Sequence, residues 1–219
     1  MSFRSQNSFW GSLSPLGGLA GAGLLIMASA RLSWAIIVVG SLLWVYGLTA
    51  LTFSFLLKTF GKNIFPEKGI VSLNICIASF FGSIYILLFW LLSPFAAFEV
   101  LLLLLLVPLF FAGSGIVQQI QDQSENYLVD FFEHVSDAVS QAVFLGGLLI
   151  AFSIVREPLS YCSLTLPGTY QGMITIIQFN DDSFLPINIF ASSAGALLLL
   201  GYIICLYQYG KNKINYGGM

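Results

Sequence analysis

From Leu101 to Leu106 the chain is leucine without interruption, and Ile36 to Val39 is a second run with no polar residue. A lipid-facing barrel strand alternates apolar and polar residues, so such runs belong on helices and a transmembrane β-barrel is ruled out. Apolar residues make up 58% of the chain and charged residues 8%, and mean hydropathy is +0.90. Soluble domains carry about a quarter of their residues as charges. The expected fold class is therefore an all-α integral membrane protein.

A helix needs about 20 apolar residues to cross ~30 Å of hydrocarbon. Six transmembrane helices are expected, near 13–30, 33–57, 69–92, 98–120, 135–155 and 184–209. Met1 to Leu13 lacks the ordered n-region, h-region and cleavage site of a signal peptide, so the first helix is expected to remain in the mature protein. Lys and Arg gather in short cytoplasmic loops. With six spans, Arg4, Lys58, Lys62, Lys68, Lys211 and Lys213 share one side and only Arg31 and Arg156 take the other, which predicts that both termini are cytoplasmic.

Two segments punctuate the apolar runs in nearly the same way, Pro15-Leu16-Gly17-Gly18-Leu19-Ala20-Gly21-Ala22-Gly23 and Pro108-Leu109-Phe110-Phe111-Ala112-Gly113-Ser114-Gly115. Proline removes a helical hydrogen bond and glycine admits a neighbouring backbone, so in a membrane each segment predicts an interrupted helix. Their recurrence predicts two inverted three-helix repeats, 13–92 and 93–210, each with an interrupted first helix, between an N-terminal cytoplasmic segment 1–12 and a cytoplasmic tail 211–219. Three spans per half make the second copy enter from the opposite side, as in many carriers of ions and small solutes. Ser14, Pro15, Gly21, Gly23, Pro108, Gly113, Gly115 and Asp137 are then the candidates for an ion path or half-helix centre. Gly40, Gly47, Gly82, Gly146, Gly147, Gly195 and Gly201 could let helices approach closely.

Outside the spans, Gln118 to Glu125 with Asp130, Glu133 and His134 forms the one acidic, polar region, a solvated loop or docking surface. The stretch 158–182 is expected to be an extracytoplasmic loop, with a Pro167-Gly168 turn and a β-prone or interfacial segment from Gly172 to Phe179 that lies on the surface or re-enters. A net charge of −2 without a basic block argues against nucleic acid as a partner. Cys76, Cys162 and Cys205 fit no metal or disulfide spacing and read as buried apolar residues.

The single His134 has no ligand set beside it, so neither a metal site nor a catalytic residue is assigned. Glu99, just after Pro94, suits the positive start of a helix. Asp137, one turn into the fifth span, must face protein or water. Arg156-Glu157 closes that span before Pro158, a stop signal, and read alone the pair is a snorkelling interface anchor.

The stretch from Asp137 through Val155-Arg156-Glu157-Pro158-Leu159-Ser160-Tyr161-Cys162-Ser163-Leu164 resembles the fifth span and following loop of the paired D/E-type membrane subunits of the Rnf and Nqr complexes. The likeness continues through Asp182-Ser183-Phe184-Leu185 and Ser192 to Gly195 toward Lys211, and reaches Leu13-Ser14-Pro15-Leu16, where that family has Cys-Pro-Leu. It implies a six-helix subunit of a redox-driven ion-translocating complex in a bacterial inner membrane, beside a homologous six-helix partner and other subunits. It also implies a [2Fe-2S] cluster shared by the paired subunits. Here the first ligand position is Ser14 and the second segment has no cysteine, so no cofactor is assigned to this chain. The competing expectation is a stand-alone secondary transporter or channel for an ion or small solute; a purely structural subunit is a third.

Overall fold

The structure, a computed structural model, describes residues 15–60, 67–113, 129–168, 173–178 and 188–216. Six α-helices run through the described residues: α1 Pro15–Ala28, α2 Leu32–Phe60, α3 Glu67–Leu92, α4 Pro94–Gly113, α5 Val129–Tyr161 and α6 Ser193–Tyr216. Between α5 and α6 lie an antiparallel hairpin, β1 Ser163–Pro167 with β2 Met173–Gln178, and a 3-10 turn, Asn188–Ala191. Four stretches are long and apolar enough to cross a membrane, Leu32–Leu56, Ser72–Leu92, Pro94–Phe111 and Val135–Tyr161. The chain is accordingly a helical, multi-pass membrane protein. The described α1 is 14 residues long, or about 21 Å at 1.5 Å per residue.

Short connections fix the helix directions. Ser29, Ala30 and Arg31 join α1 to α2, and Ser93 alone joins α3 to α4. Both turns share one end of the bundle with the β-hairpin: the Ser93 hydroxyl donates to the Gly168 carbonyl at 3.1 Å, and Arg31 Nη1 donates to Met173 Sδ at 2.9 Å. Pro94 follows Ser93 as the first residue of α4, where proline's missing N–H is no loss. Helices α1, α3 and α5 run toward this hairpin end and α2, α4 and α6 run away from it.

Helix α2 is the centre of the bundle. Ala35, Val38, Leu42, Val45 and Thr49 are all buried, and their alternating spacing of three and four residues is the stripe that packs one helix against others. Tyr46 meets Phe111 of α4 edge to face, with centroids 4.7 Å apart. Tyr85 of α3 donates to the Ile37 carbonyl at 3.1 Å, and a Cβ on Gly40 would come within 2.7 Å of its hydroxyl. The outward faces carry large apolar residues instead: Phe80, Leu87, Trp90 and Leu91 on α3, Phe95 and Phe98 on α4, Leu197 and Tyr202 on α6 are exposed. That inverted amphipathicity suits lipid.

The Pro/Gly segments differ from the interrupted helices expected of them. Pro15 is the first residue of α1, which then runs unbroken to Ala28, and α4 continues through Pro108 to Gly113. Gly82 makes room for the Pro108 ring, since a Cβ there would lie 2.7 Å from Pro108 Cγ. Moreover, one segment opens α1 while the other closes α4, and in antiparallel helices this puts both at the same end, away from the hairpin. Related by inversion, they would occupy opposite ends. Ser14 and Gly115 lie outside the described residues.

Two further boundaries shift. Helix α5 passes Pro158 and ends at Tyr161, where the Cys162 amide donates to the Pro158 carbonyl at 3.0 Å and Cys162 adopts a left-handed φ of 50°. Pro158 lacks the N–H that would bond within the helix, yet α5 continues through it for one more turn. The loop after it contains regular structure: the β-prone stretch includes strand β2, and Ser163–Pro167 supplies its partner.

Candidate functional site: a buried arginine-glutamate hub

Arg156 and Glu157 occupy the last two turns of α5, and successive helical residues diverge by 100°. Their side chains leave α5 toward different neighbours. Both are buried, 1% and 0% exposed, so the snorkelling anchor expected from the sequence gives way to an inward-facing pair. The reason lies in the acceptors and donors that surround them.

Arg156 uses all five of its N–H donors. Nε donates to the Phe190 carbonyl at 2.8 Å, Nη1 to the Ile26 carbonyl and to Ser29 Oγ at 3.0 Å, and Nη2 to the carbonyls of Ala191 at 3.1 Å and Ser192 at 3.0 Å. Ile26 lies in the last turn of α1, whose final carbonyls have no partner within the helix. Phe190 to Ser192 form the 3-10 turn and the link to α6. The guanidinium thus joins the C-terminal end of α1 to the start of α6, where its positive charge opposes the negative end of the α1 dipole.

Glu157 performs the reciprocal task at the next helix. Oε2 accepts from the backbone N–H of Leu32 at 2.7 Å, the first residue of α2. Oε1 accepts from the Thr165 hydroxyl at 2.6 Å. Thr165 Oγ1 lies 3.1 Å from Ser33 Oγ, and because the threonine proton is already committed to the carboxylate, Ser33 is the donor in that pair. A carboxylate at a helix N-terminus and a guanidinium at a helix C-terminus are each in their favourable field.

Among the described residues no other predicted site residue belongs to this hub. Gly21 and Gly23 face α4, where a Cβ on Gly21 would come within 2.5 Å of Phe110 Cε2 and one on Gly23 within 3.7 Å of Leu106. Pro108 packs on Gly82, Gly113 is the last residue of α4, and Pro15 is the first of α1. Asp137 is exposed on α5, about 28 Å along that helix from Arg156. The structure therefore brings α1 and α4 together at the Pro/Gly segments but separates that contact from the Arg-Glu hub.

Glu99 is exposed on α4, six residues into the helix, and accepts from Trp34 Nε1 at 3.3 Å rather than capping the helix start. A cleft of about 280 Å³ runs beside this pair, lined by Ile26, Met27, Trp34, Glu99, Leu103 and Arg156. Arg156 has no donor left for a ligand in it. Ser29, Ser33, Thr165 and the 190–192 carbonyls, which complete the hub, had no signal in the sequence beyond being small or polar residues at the ends of apolar runs.

The donor set does not suit an iron-sulfur cluster where α1 meets α4. Cluster iron is held chiefly by thiolates, whereas the contact in α4 is made by Phe110, whose ring fills the space over Gly21. Cys76 on α3, Cys162 after α5 and Cys205 on α6 are free thiols on separate elements, and Cys76 and Cys205 are exposed, not buried as expected from the sequence. Among the described residues no three His, Cys, Asp or Glu side chains gather as a metal site. Compared with family models, curated proteins and solved structures, the chain matches none.

Proposed function

We propose that this chain is a six-span subunit of a redox-driven, ion-translocating membrane complex resembling Rnf and Nqr, with both termini in the cytoplasm of a bacterial inner membrane. The observation that carries the reading is the Arg156-Glu157 hub. The dipeptide on which the resemblance rests is buried and fully hydrogen-bonded, and it ties α1, α2, α5 and the start of α6 into one end of the bundle. A sequence motif with that many partners accounts for why a membrane fold would need both residues together. The apolar outer faces of α3 and α6 offer surfaces to a homologous six-helix partner.

In this reading the subunit scaffolds the path and a partner supplies cluster ligands. The second reading, a stand-alone secondary transporter or channel, draws on the same facts, because the Gly21–Phe110 contact lacks thiolates and α1 and α4 pack where a substrate path could run. Gentle solubilisation of the tagged chain separates the two. Co-elution with a second six-span chain and an iron-containing redox protein is the expected result. A lone chain that drives ion or solute uptake in proteoliposomes overturns the redox reading and establishes the other.

A further inference from the structure

We infer that the β1–β2 hairpin is a membrane-inserted element whose outer face lies in the headgroup and acyl boundary of the bilayer. The strand register carries the inference. Ser163 pairs with Gln178, Leu164 with Ile177, Thr165 with Thr175 and Leu166 with Ile174, so Ile176 is an extra residue, a bulge between the second and third pairs. Paired residues on antiparallel strands share a face. Without the bulge, Ile174 and Ile177 would point to opposite sides, being three residues apart; with it, both join Leu164 and Leu166 on one face.

On β1 the usual order of a soluble protein is inverted, with a threonine buried and a leucine exposed. The other face carries the polar residues Ser163, Thr165, Thr175 and Gln178, of which Thr165, on β1, is buried against Glu157 and Ser33 while Thr175 and Gln178, on β2, are exposed. The outer face is aliphatic: Leu166 is 37% exposed, Ile174 54% and Ile177 46%, and neither strand contains a charged residue. In water this arrangement would waste its apolar surface and invite edge pairing. The occupant is identified by what adjoins the hairpin. Arg31, which donates to Met173 Sδ, stacks on Trp34 at 5.6 Å and on Tyr161 at 5.2 Å; tryptophan, tyrosine and a long cation are the residues that mark a membrane interface. The end of α5 that leads into the hairpin also exposes apolar and aromatic residues, Ile154, Val155 and Tyr161. Among the described residues no third strand pairs with β2; its free backbone groups need partners that hydrocarbon lacks and that headgroups and their water supply, so the insertion is shallow.

The test needs only the full chain in phosphatidylcholine–phosphatidylglycerol proteoliposomes, so its outcome is independent of the redox reading. A spin label is attached at Ile174→Cys or Ile177→Cys, with the exposed Cys76 and Cys205 changed to Ser. Collision with oxygen, which concentrates in the bilayer, should exceed collision with a water-soluble nickel chelate several-fold at both positions. Higher access to the chelate at both would show that water covers the face and overturn the inference. Shielding from both reagents would overturn it equally, by showing that protein covers the face. Should either substituted chain fail to fold, Leu166→Cys reports on the same face from the other strand.

Discussion

Arg156 and Glu157 are adjacent in sequence but hold the facing ends of two different helices, the guanidinium at the last turn of α1 and the carboxylate at the first residue of α2. Between those ends lie only Ser29, Ala30 and Arg31. A tight turn between antiparallel helices concentrates unsatisfied carbonyls and amides in one place, and in an apolar medium each orphan costs several kcal/mol. A cation followed at once by an anion on a third helix satisfies a group from each set, the Ile26 carbonyl and the Leu32 amide, without leaving net charge inside. The pair is thereby explained by the turn it serves.

Replacing Arg156 by Lys should destabilise the protein even though the charge is kept. An ammonium offers three donors to five acceptors and cannot reach in a planar fork. With each orphaned acceptor costing about 1–3 kcal/mol, the expected loss is about 2–4 kcal/mol, seen as a clear drop in the melting temperature of the detergent-solubilised protein. Unchanged melting would mean that the carbonyls of 190–192 are held by something other than Arg156.

Thr165→Val and Thr49→Val should have opposite signs. The Thr165 hydroxyl donates to Glu157, so its loss leaves a buried carboxylate oxygen short of a donor and should cost about 1–3 kcal/mol. Thr165→Ser should be close to neutral. Thr49 is fully buried on α2 and its hydroxyl has no hydrogen-bond partner; an isosteric methyl removes that desolvation and should stabilise by about 1 kcal/mol. Paired thermal melts of the three variants decide the matter.

Gly195→Ala should reproduce the Arg156 defect from a distance. A methyl group at Gly195 would clash with the Ile189 carbonyl and the Phe190 backbone, forcing the 3-10 turn off α6. That turn and the residue after it present three of the carbonyls that Arg156 binds. The two substitutions act on one structure, so the double variant Gly195→Ala with Arg156→Ala should lose much less stability than the sum of the singles. Additive losses in chemical or thermal unfolding would show that turn and guanidinium are independent.

The helices were legible because long apolar runs permit little else. The six expected segments each coincide with a helix, but only α2, α3, α4 and α5 are long and apolar enough among the described residues to cross a membrane, and the ends shift by several residues, as at α5, which extends past Pro158, and at α6, which begins at Ser193 rather than near 184. The composition of 172–179 disclosed a β tendency but not its partner, since Ser163–Pro167 looks like a continuation of a polar loop until Thr165 finds Glu157. The Arg-Glu pair was visible as a motif, whereas its burial was not, because a charge at the end of a span can either snorkel or turn inward and only the long-range carbonyls of Ile26 and Phe190 decide which. The Pro/Gly segments failed differently. Proline weakens its own helix by one hydrogen bond and crowds the preceding turn, but a membrane helix can absorb that loss and continue, and Gly82, 26 residues upstream of Pro108, lets the ring pack against α3.

Gly21→Ala provides the most direct check on how α1 meets α4. The added Cβ would stand 2.5 Å from Phe110 Cε2 and 2.9 Å from Cδ2, so the ring must swing or the helices must separate. Overpacking of this kind costs about 1–3 kcal/mol. Phe110→Leu in the same chain should restore most of the loss by vacating the ring position. Gly147→Ala and Gly201→Ala, where a Cβ meets nothing within 4 Å, serve as references and should be neutral or slightly stabilising through helix propensity. If Gly21→Ala melts like these references, α1 and α4 are not in contact at Phe110, and the α1–α4 contact on which a shared path would depend is absent.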